Sequence, residues 1–366
     1  MRVDGTSYRS IWPIEQRAAG IIDQTRLPHE FHTVEVGDCA SMVRAIATMQ
    51  VRGAPLIGAA AAYGVALAMN ADASDAGLER ACADLAASRP TAVNLRWAIA
   101  RSHQHLRGLA PAQRRAQAWR EASAIAEEDV SMNRAIGSYA SALLSQLHAR
   151  LGRPVNVLTH CNAGWLATVD FGTALAGIYL ASDAGLPLHV WVDETRPRNQ
   201  GLLTAWELRA HGVPHTLVAD NAGGHLMQHG KVDLVIVGAD RVGRDGAVCN
   251  KIGTYLKALA AHDNAVPFYA AVPSPTIDWE LGDAVHEVPI EERCGDELRV
   301  VTGIGADGRR AQVELFGAGA AVANPAFDVT PPRLVTGIIT ERGIAPPAEL
   351  PGLFPERAPA AAGARA

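Results

Sequence analysis

The chain is sparing with cysteine, aromatic side chains and charge. Its five cysteines, at positions 39, 82, 161, 249 and 294, stand singly with no Cys-x-x-Cys pair. That pattern argues against a disulfide framework and against a zinc site. Charged residues make up 19% of the chain and the net charge is −5, so the electrostatic footprint of a nucleic-acid binder is missing. No apolar run of membrane-spanning length is expected. The start, Met1-Arg2-Val3-Asp4-Gly5-Thr6, lacks the basic and apolar regions of a signal peptide. A cytoplasmic protein, with neither nucleic acid nor membrane as partner, is the expectation.

Two ligand signatures are also missing. The glycines form no Gly-x-Gly-x-x-Gly after the first strand of the second half, and no phosphate loop ends in Gly-Lys-Ser or Gly-Lys-Thr. The 13 histidines include no His-x-x-x-His pair with the carboxylate of a helical metal site. Neither a nucleotide cofactor nor a metal is indicated.

What is present is a soluble globular composition, 48% hydrophobic, in a chain of 366 residues, long enough for two domains. Residues 1 to about 34 carry short apolar pieces suited to a small strand or hairpin unit. Helical spacing then covers Val36 to Met49, the Ala-rich run Ala59 to Met69, Leu78 to Ala87, Val93 to Leu109 and Ala112 to His148. A mostly helical domain over residues 1–150 is expected. Past Arg153-Pro154, strands alternate with helices about every 25 residues. Val155–Thr159, Leu188–Val192, Pro214–Ala219, Leu234–Val237 and Phe268–Val272 read as strands. This is the signature of βαβ units on a parallel sheet with helices on both faces, an α/β domain over residues 151–345. The stretch 346–366, rich in Pro and Ala, is expected to be a mobile tail.

Parallel strands point one way, so polar groups after each strand gather along one rim. Cys161, between His160 and Asn162 and before a small-residue turn, suits a helix amino end that lowers a thiol pKa; a buried structural thiol is the alternative. Asp240 follows the apolar run Leu234 to Val237 and is expected to be partly desolvated. It is either an acid near neutral pH, or a helix cap or a partner for Arg241. Asn250 is placed as a helix N-cap with Lys251 in the first turn, suited to a phosphate or sugar hydroxyls. Arg52-Gly53-Ala54-Pro55 opens the Ala-rich helix, where the free amides favour an anion or merely cap the helix. Arg96, alone on its helix, reads first as a solvated side chain.

Five motifs in order carry a resemblance. They are Arg52-Gly53-Ala54-Pro55-Leu56-Ile57-Gly58, Thr159-His160-Cys161-Asn162-Ala163-Gly164, Asp193-Glu194-Thr195-Arg196-Pro197-Arg198-Asn199-Gln200-Gly201, Gly238-Ala239-Asp240-Arg241 and Asn250-Lys251-Ile252-Gly253-Thr254. Over residues 1 to about 345 the chain resembles the methylthioribose-1-phosphate isomerases of methionine salvage. The resemblance implies a Rossmann-like domain, a sugar-phosphate substrate and a homodimer. It implies Cys161 and Asp240 as the catalytic pair, and Arg52, Gly53, Ala54, Arg96, Gln200, Asn250 and Lys251 as the substrate-binding set. Isomerases of 5-deoxyribose 1-phosphate or ribose 1,5-bisphosphate share the fold. So do the non-catalytic subunits of the exchange factor for initiation factor 2, which have no need of the pair.

Overall fold

The computed structural model describes residues 1–317 and 319–357. The end of the expected tail, 358–366, lies outside the described residues.

The first half is built around one helix. Ala54–Ala71 buries almost every side chain it has, among them Leu56, Ile57, Val65 and Met69, because small Ala and Gly residues let neighbours close in from all sides. Helices Cys39–Ala47, Asp75–Ser88 and Val93–Leu106 surround it. A three-stranded antiparallel sheet, Ile11–Ile14, Ala18–Ile22 and Thr33–Val36, lies beside them. Contrary to the expectation from the sequence, Ala54–Ala71 is long and apolar enough to cross a membrane by length and composition. It is the core of a domain, with 83% of that window buried inside protein.

The expected Ala112–His148 helix is a single rod of 41 residues, Pro111–Leu151. Its first part, with Ala118, Trp119 and Ile125, completes the N-terminal core. Its last part, with Ile136, Ala140 and Leu144, packs under the sheet of the second half.

That sheet has six parallel strands: β1 (Val155–Thr159), β2 (Leu188–Asp193), β3 (His215–Val218), β4 (Leu234–Val237), β5 (Phe268–Ala271) and β6 (Gly337–Thr340). They lie in the order 3-2-1-4-5-6, and Gly343–Ala345 pairs antiparallel outside β6. Alternate side chains feed two cores. Val155, Val157, Leu234 and Ile236 meet Pro111–Leu151 and Ala174–Asp183. Leu158, Val235 and Val237 meet the other face, where Leu226 and Ala258 belong to helices Ala222–Gln228 and Thr254–Asp263. Burial on both faces explains why β4 reads as an unbroken apolar run. Strand order reverses between β1 and β4, and such a point opens a crevice at the carboxyl ends of the strands.

Two expectations give way. Asn250 and Lys251 do not start a helix: Val248–Lys251 is a strand, antiparallel to Phe327–Thr330 and to Arg241–Gly243. The helix begins at Thr254 after Gly253, whose φ is +101°. Its first amides go to Asp328, which accepts from Gly253 N at 2.7 Å and Tyr255 N at 3.1 Å. The start of the expected mobile tail is also packed. Leu350 and Phe354 are buried against the second sheet core, and Arg342 lies over the Phe354 ring.

Candidate active site

The crevice at the strand reversal is walled by both halves. Arg52, Gly53, Ala54, Cys161, Gln200, Asp240, Asn250 and Lys251, eight of the nine residues singled out from the sequence, line one cavity. Cys161 follows β1, Asp240 follows the adjacent β4, and the start of helix Ala54–Ala71 faces them.

Only glycine fits at 53. Its φ is +99°, and a Cβ there would stand 2.4 Å from the carbonyl oxygen of Ala167. The close approach brings the helix start against the segment that follows Cys161. Among the described residues no side chain caps that helix, so its first amides are open to an anion.

Arg52 is buried and points at the β1 end. Its Nη1 donates to the backbone oxygen of Asn162 at 3.2 Å, and its Nη2 donates to the Asn162 side-chain oxygen. Its Nε is buried with no hydrogen-bond partner among the described residues. Burial lowers the Arg52 pKa from its usual value, while the nearby Cys161, Glu207 and Asp240 act the other way. Asn162 in turn donates to Thr204 Oγ1 at 3.1 Å and to Glu207 Oε1 at 2.9 Å. Glu207 is buried and also accepts from Trp165 N, Leu166 N and Tyr179 Oη. Burial raises its pKa above the usual carboxylate value, against those hydrogen bonds and the Arg52 charge.

Cys161 differs from the expectation. No regular helix follows it directly; a short 3-10 turn, Trp165–Ala167, comes first and the helix starts only at Ala174. Burial pushes its thiol pKa up, partly offset by the Arg52 and Lys251 cations. A partly buried, desolvated thiol without a helix dipole loses the stabilisation that would make it a ready thiolate.

Lys251 donates to the Ala326 carbonyl at 2.8 Å, and its ammonium sits 4.7 Å from the centre of the Phe327 ring. Burial and the neighbouring Arg293 charge lower its pKa. Asn250 donates to Thr254 Oγ1 at 3.0 Å. The side-chain oxygen of Gln200 is buried with no hydrogen-bond partner among the described residues. Asp240 is half-buried, its backbone amide tied to Cys249 O at 3.0 Å. Met49, Ile57, Val288 and Phe327 give the same cavity an apolar wall.

Arg96 is not brought in. It is exposed on its helix, with Nη1 3.3 Å from the Pro90 carbonyl. Arg89 lines the cavity instead, as does Arg293. Glu291 lies between these two cations, 3.7 Å from Arg89 Nη2 and 3.0 Å from Arg293 Nε. Arg89 reads in the sequence as a helix break before Pro90. An arginine at the end of one helix and beside the start of another was the signal available.

Behind the cavity, both ring nitrogens of His160 lie within hydrogen-bond reach of oxygen: Nδ1 is 3.0 Å from Asp193 Oδ2 and Nε2 is 2.8 Å from Ile252 O. His160, Asp193 and Asp220 gather three donor atoms within 4.8 Å of one another. The same Asp193 oxygen already has a cation, Lys257 Nζ at 3.4 Å, so the cluster is organised as an ion-pair network.

The chain is similar to known proteins. Residues 50–347 match the Initiation factor 2 subunit family. The methylthioribose-1-phosphate isomerase of Rhodospirillum rubrum is 60% identical over 370 residues, covering 98% of this chain and 95% of that one. That of Methylobacterium nodulans is 62% identical, covering 99% and 100%. Among solved structures, a 5-methylthioribose 1-phosphate isomerase from Pyrococcus horikoshii OT3 is 38% identical with a TM-score of 0.82, covering 96% and 97%. A translation initiation factor eIF-2B delta subunit from A. fulgidus is 41% identical with a TM-score of 0.78, covering 95% and 100%.

Proposed function

The chain belongs to the Initiation factor 2 subunit family and, within it, to the methylthioribose-1-phosphate isomerases, and from that premise we propose how its cavity converts 5-methylthioribose 1-phosphate to 5-methylthioribulose 1-phosphate in methionine salvage. A single observation carries the chemistry. A carboxyl and a thiol stand at the ends of the two adjacent strands where the sheet reverses, in a cavity with an arginine-flanked helix start and a buried lysine.

The phosphate on C1 locks the sugar ring as an acetal, so opening needs an acid at the ring oxygen. Asp240 donates that proton, the bond from C1 to the ring oxygen breaks, and the ring oxygen becomes the C4 hydroxyl. The hydrogen on C2 then moves to C1, directly with its electron pair or as a proton through an enediol-like species. The C2 hydroxyl proton returns to Asp240 as the ketone forms, which restores the acid and balances the isomerisation. Cys161 lies beside the reacting carbons, either polarising the transfer or carrying the proton. Arg52, the open amides at Gly53 and Ala54, Lys251 and Arg89 hold the phosphate. Gln200 and Asn250 hold sugar hydroxyls, and the apolar wall takes the methylthio group.

A homodimer in the cytoplasm completes the picture by family likeness, and analytical ultracentrifugation tests the dimer. The test of function is turnover of 5-methylthioribose 1-phosphate by purified protein, beside 5-deoxyribose 1-phosphate and ribose 1,5-bisphosphate. Preferential conversion of the methylthio sugar is expected; no conversion of any of the three by folded protein would overturn the assignment.

A further inference from the structure

Cys161 has φ of +68°, a left-handed conformation that costs a side-chain-bearing residue energy and persists only when its surroundings enforce it. Its two backbone polar groups show what enforces it. The amide of Cys161 donates to Thr195 Oγ1 at 2.8 Å, and the carbonyl of Cys161 accepts from Thr204 Oγ1 at 2.8 Å. Both hydroxyls are oriented by a second bond. Thr195 Oγ1 donates to the Asp193 carbonyl at 3.0 Å, which leaves its lone pairs for the Cys161 amide. Thr204 Oγ1 spends its proton on the Cys161 carbonyl and accepts from Asn162 Nδ2 at 3.1 Å. Both threonines are fully buried. Thr195 is itself left-handed, at φ +64°, with its amide fixed by Asp220 Oδ1 at 2.8 Å.

Building on the assignment of Cys161 as the catalytic thiol, we propose that Thr195 and Thr204 are positioning residues that clamp the Cys161 backbone in its left-handed conformation and so aim the thiol into the cavity. The two hydroxyls come from the β2 loop and from helix Gly201–His211, so the thiol is held from the side of the sheet away from Asp240. Thr204 does a second thing. Through Asn162 it shares the orientation of Arg52, so the thiol and the anion-binding arginine are set by one hydroxyl. Relaxing Cys161 to an ordinary φ would swing its Cβ direction away from the cavity while leaving the phosphate ligands in place. A misplacement of this kind lowers the rate of the chemical step more than binding.

The test compares Thr195→Val, Thr195→Ser, Thr204→Val, Thr204→Ser and Cys161→Ala, measuring kcat and KM for 5-methylthioribose 1-phosphate together with Tm. For Thr195→Val, kcat is expected to fall about tenfold or more with KM within about threefold. Thr204→Val should lower kcat similarly and raise KM as well, because Asn162 loses a partner. Each Ser variant keeps the hydroxyl and should stay within about threefold of the parent in kcat. If a Val variant does not fold, Thr195→Ala set against Thr195→Ser gives the same contrast. Unchanged kcat in Thr195→Val, or Ser variants as impaired as the Val variants, would overturn the clamp. Cys161→Ala separates the two levels: near-parental turnover in that variant defeats the catalytic assignment itself, whereas an inactive Cys161→Ala beside an unaffected Thr195→Val defeats only the clamp.

Discussion

Arg52 holds Asn162 at two points, one Nη on the backbone oxygen and the other on the side-chain oxygen. An arginine fork makes this grip and a lysine point charge does not. Arg52→Ala should therefore lower kcat/KM by well over tenfold, about 1.4 kcal/mol or more of transition-state stabilisation. Arg52→Lys should lose most of the same amount despite keeping the charge. Steady-state kinetics with 5-methylthioribose 1-phosphate decides, and a lysine variant close to the parent would mean that charge alone suffices.

Arg89 and Arg96 make a paired prediction. Arg89 lines the cavity beside Arg293, whereas Arg96 is exposed and rests on the Pro90 carbonyl. Arg89→Ala is expected to lower kcat/KM about tenfold or more, and Arg96→Ala to change it by less than about threefold. The reverse order of effects would restore Arg96 to the substrate-binding set.

Much of this was legible in the sequence wherever the signal was local. β1 and β4 begin and end at the residues their apolar runs suggest, Val155–Thr159 and Leu234–Val237, and the polar groups after them meet at one rim because parallel strands share a direction. Asn250 and Lys251 read as a helix start because Ile252, Tyr255, Leu256 and Leu259 follow at helical spacing. What makes Val248–Lys251 a strand is Phe327–Thr330, whose residues lie far along the chain, and no window around Asn250 contains that partner. Cys161 fared similarly. Its neighbours point to a helix start, but its backbone conformation is held by Thr195 and Thr204, each in another element. Glu207 sits in the middle of a helix, where a carboxylate normally faces water. Only the fold shows that it organises Asn162.

Asp240→Asn keeps the shape of the side chain and removes the proton it would donate. Loss of a positioned general acid typically costs on the order of 10²–10⁴ in rate. A fall in kcat of that size with KM little changed is expected, measured on protein of parental Tm. Turnover close to the parent would remove Asp240 from the acid role.

Burial raises the Cys161 thiol pKa, and a protonated thiol is a poor base near neutral pH. Direct transfer from C2 to C1 is therefore the expected course. Substrate deuterated at C2 and converted in ordinary water should keep its label at C1, read by NMR of the product. Complete loss of the label to solvent would instead show transfer as a proton through an exchanging base.

Asp129 supplies a pH dependence of stability. It is buried under the segment after Cys161, where it accepts from Val169 N at 2.8 Å, and desolvation raises its pKa from 3.8 to about 7. Below about pH 4 the carboxyl is protonated in folded and unfolded chains alike and contributes no slope. Between about pH 4 and 7 only the unfolded chain ionises, so stability falls as pH rises, by up to roughly 4 kcal/mol. Asp129→Asn keeps an acceptor for Val169 and abolishes this loss. Urea denaturation at pH 5 and pH 8 should show the parent losing more stability between the two than the variant; equal losses would contradict the account.

The rod Pro111–Leu151 belongs to both cores at once, Trp119 and Ile125 in one and Ile136 and Leu144 in the other. Each residue in a helix turns the chain by about 100° and advances it about 1.5 Å. Inserting or deleting one residue between Ile125 and Ile136 would therefore twist one half against the other and carry Arg52 out of phase with Cys161. The length of this one segment is thus keyed to the chemistry: gains and losses of residues are open to the surface turns of this chain, but here even a seven-residue repeat, which nearly restores the rotation, would shift the two walls of the cavity by about 10 Å.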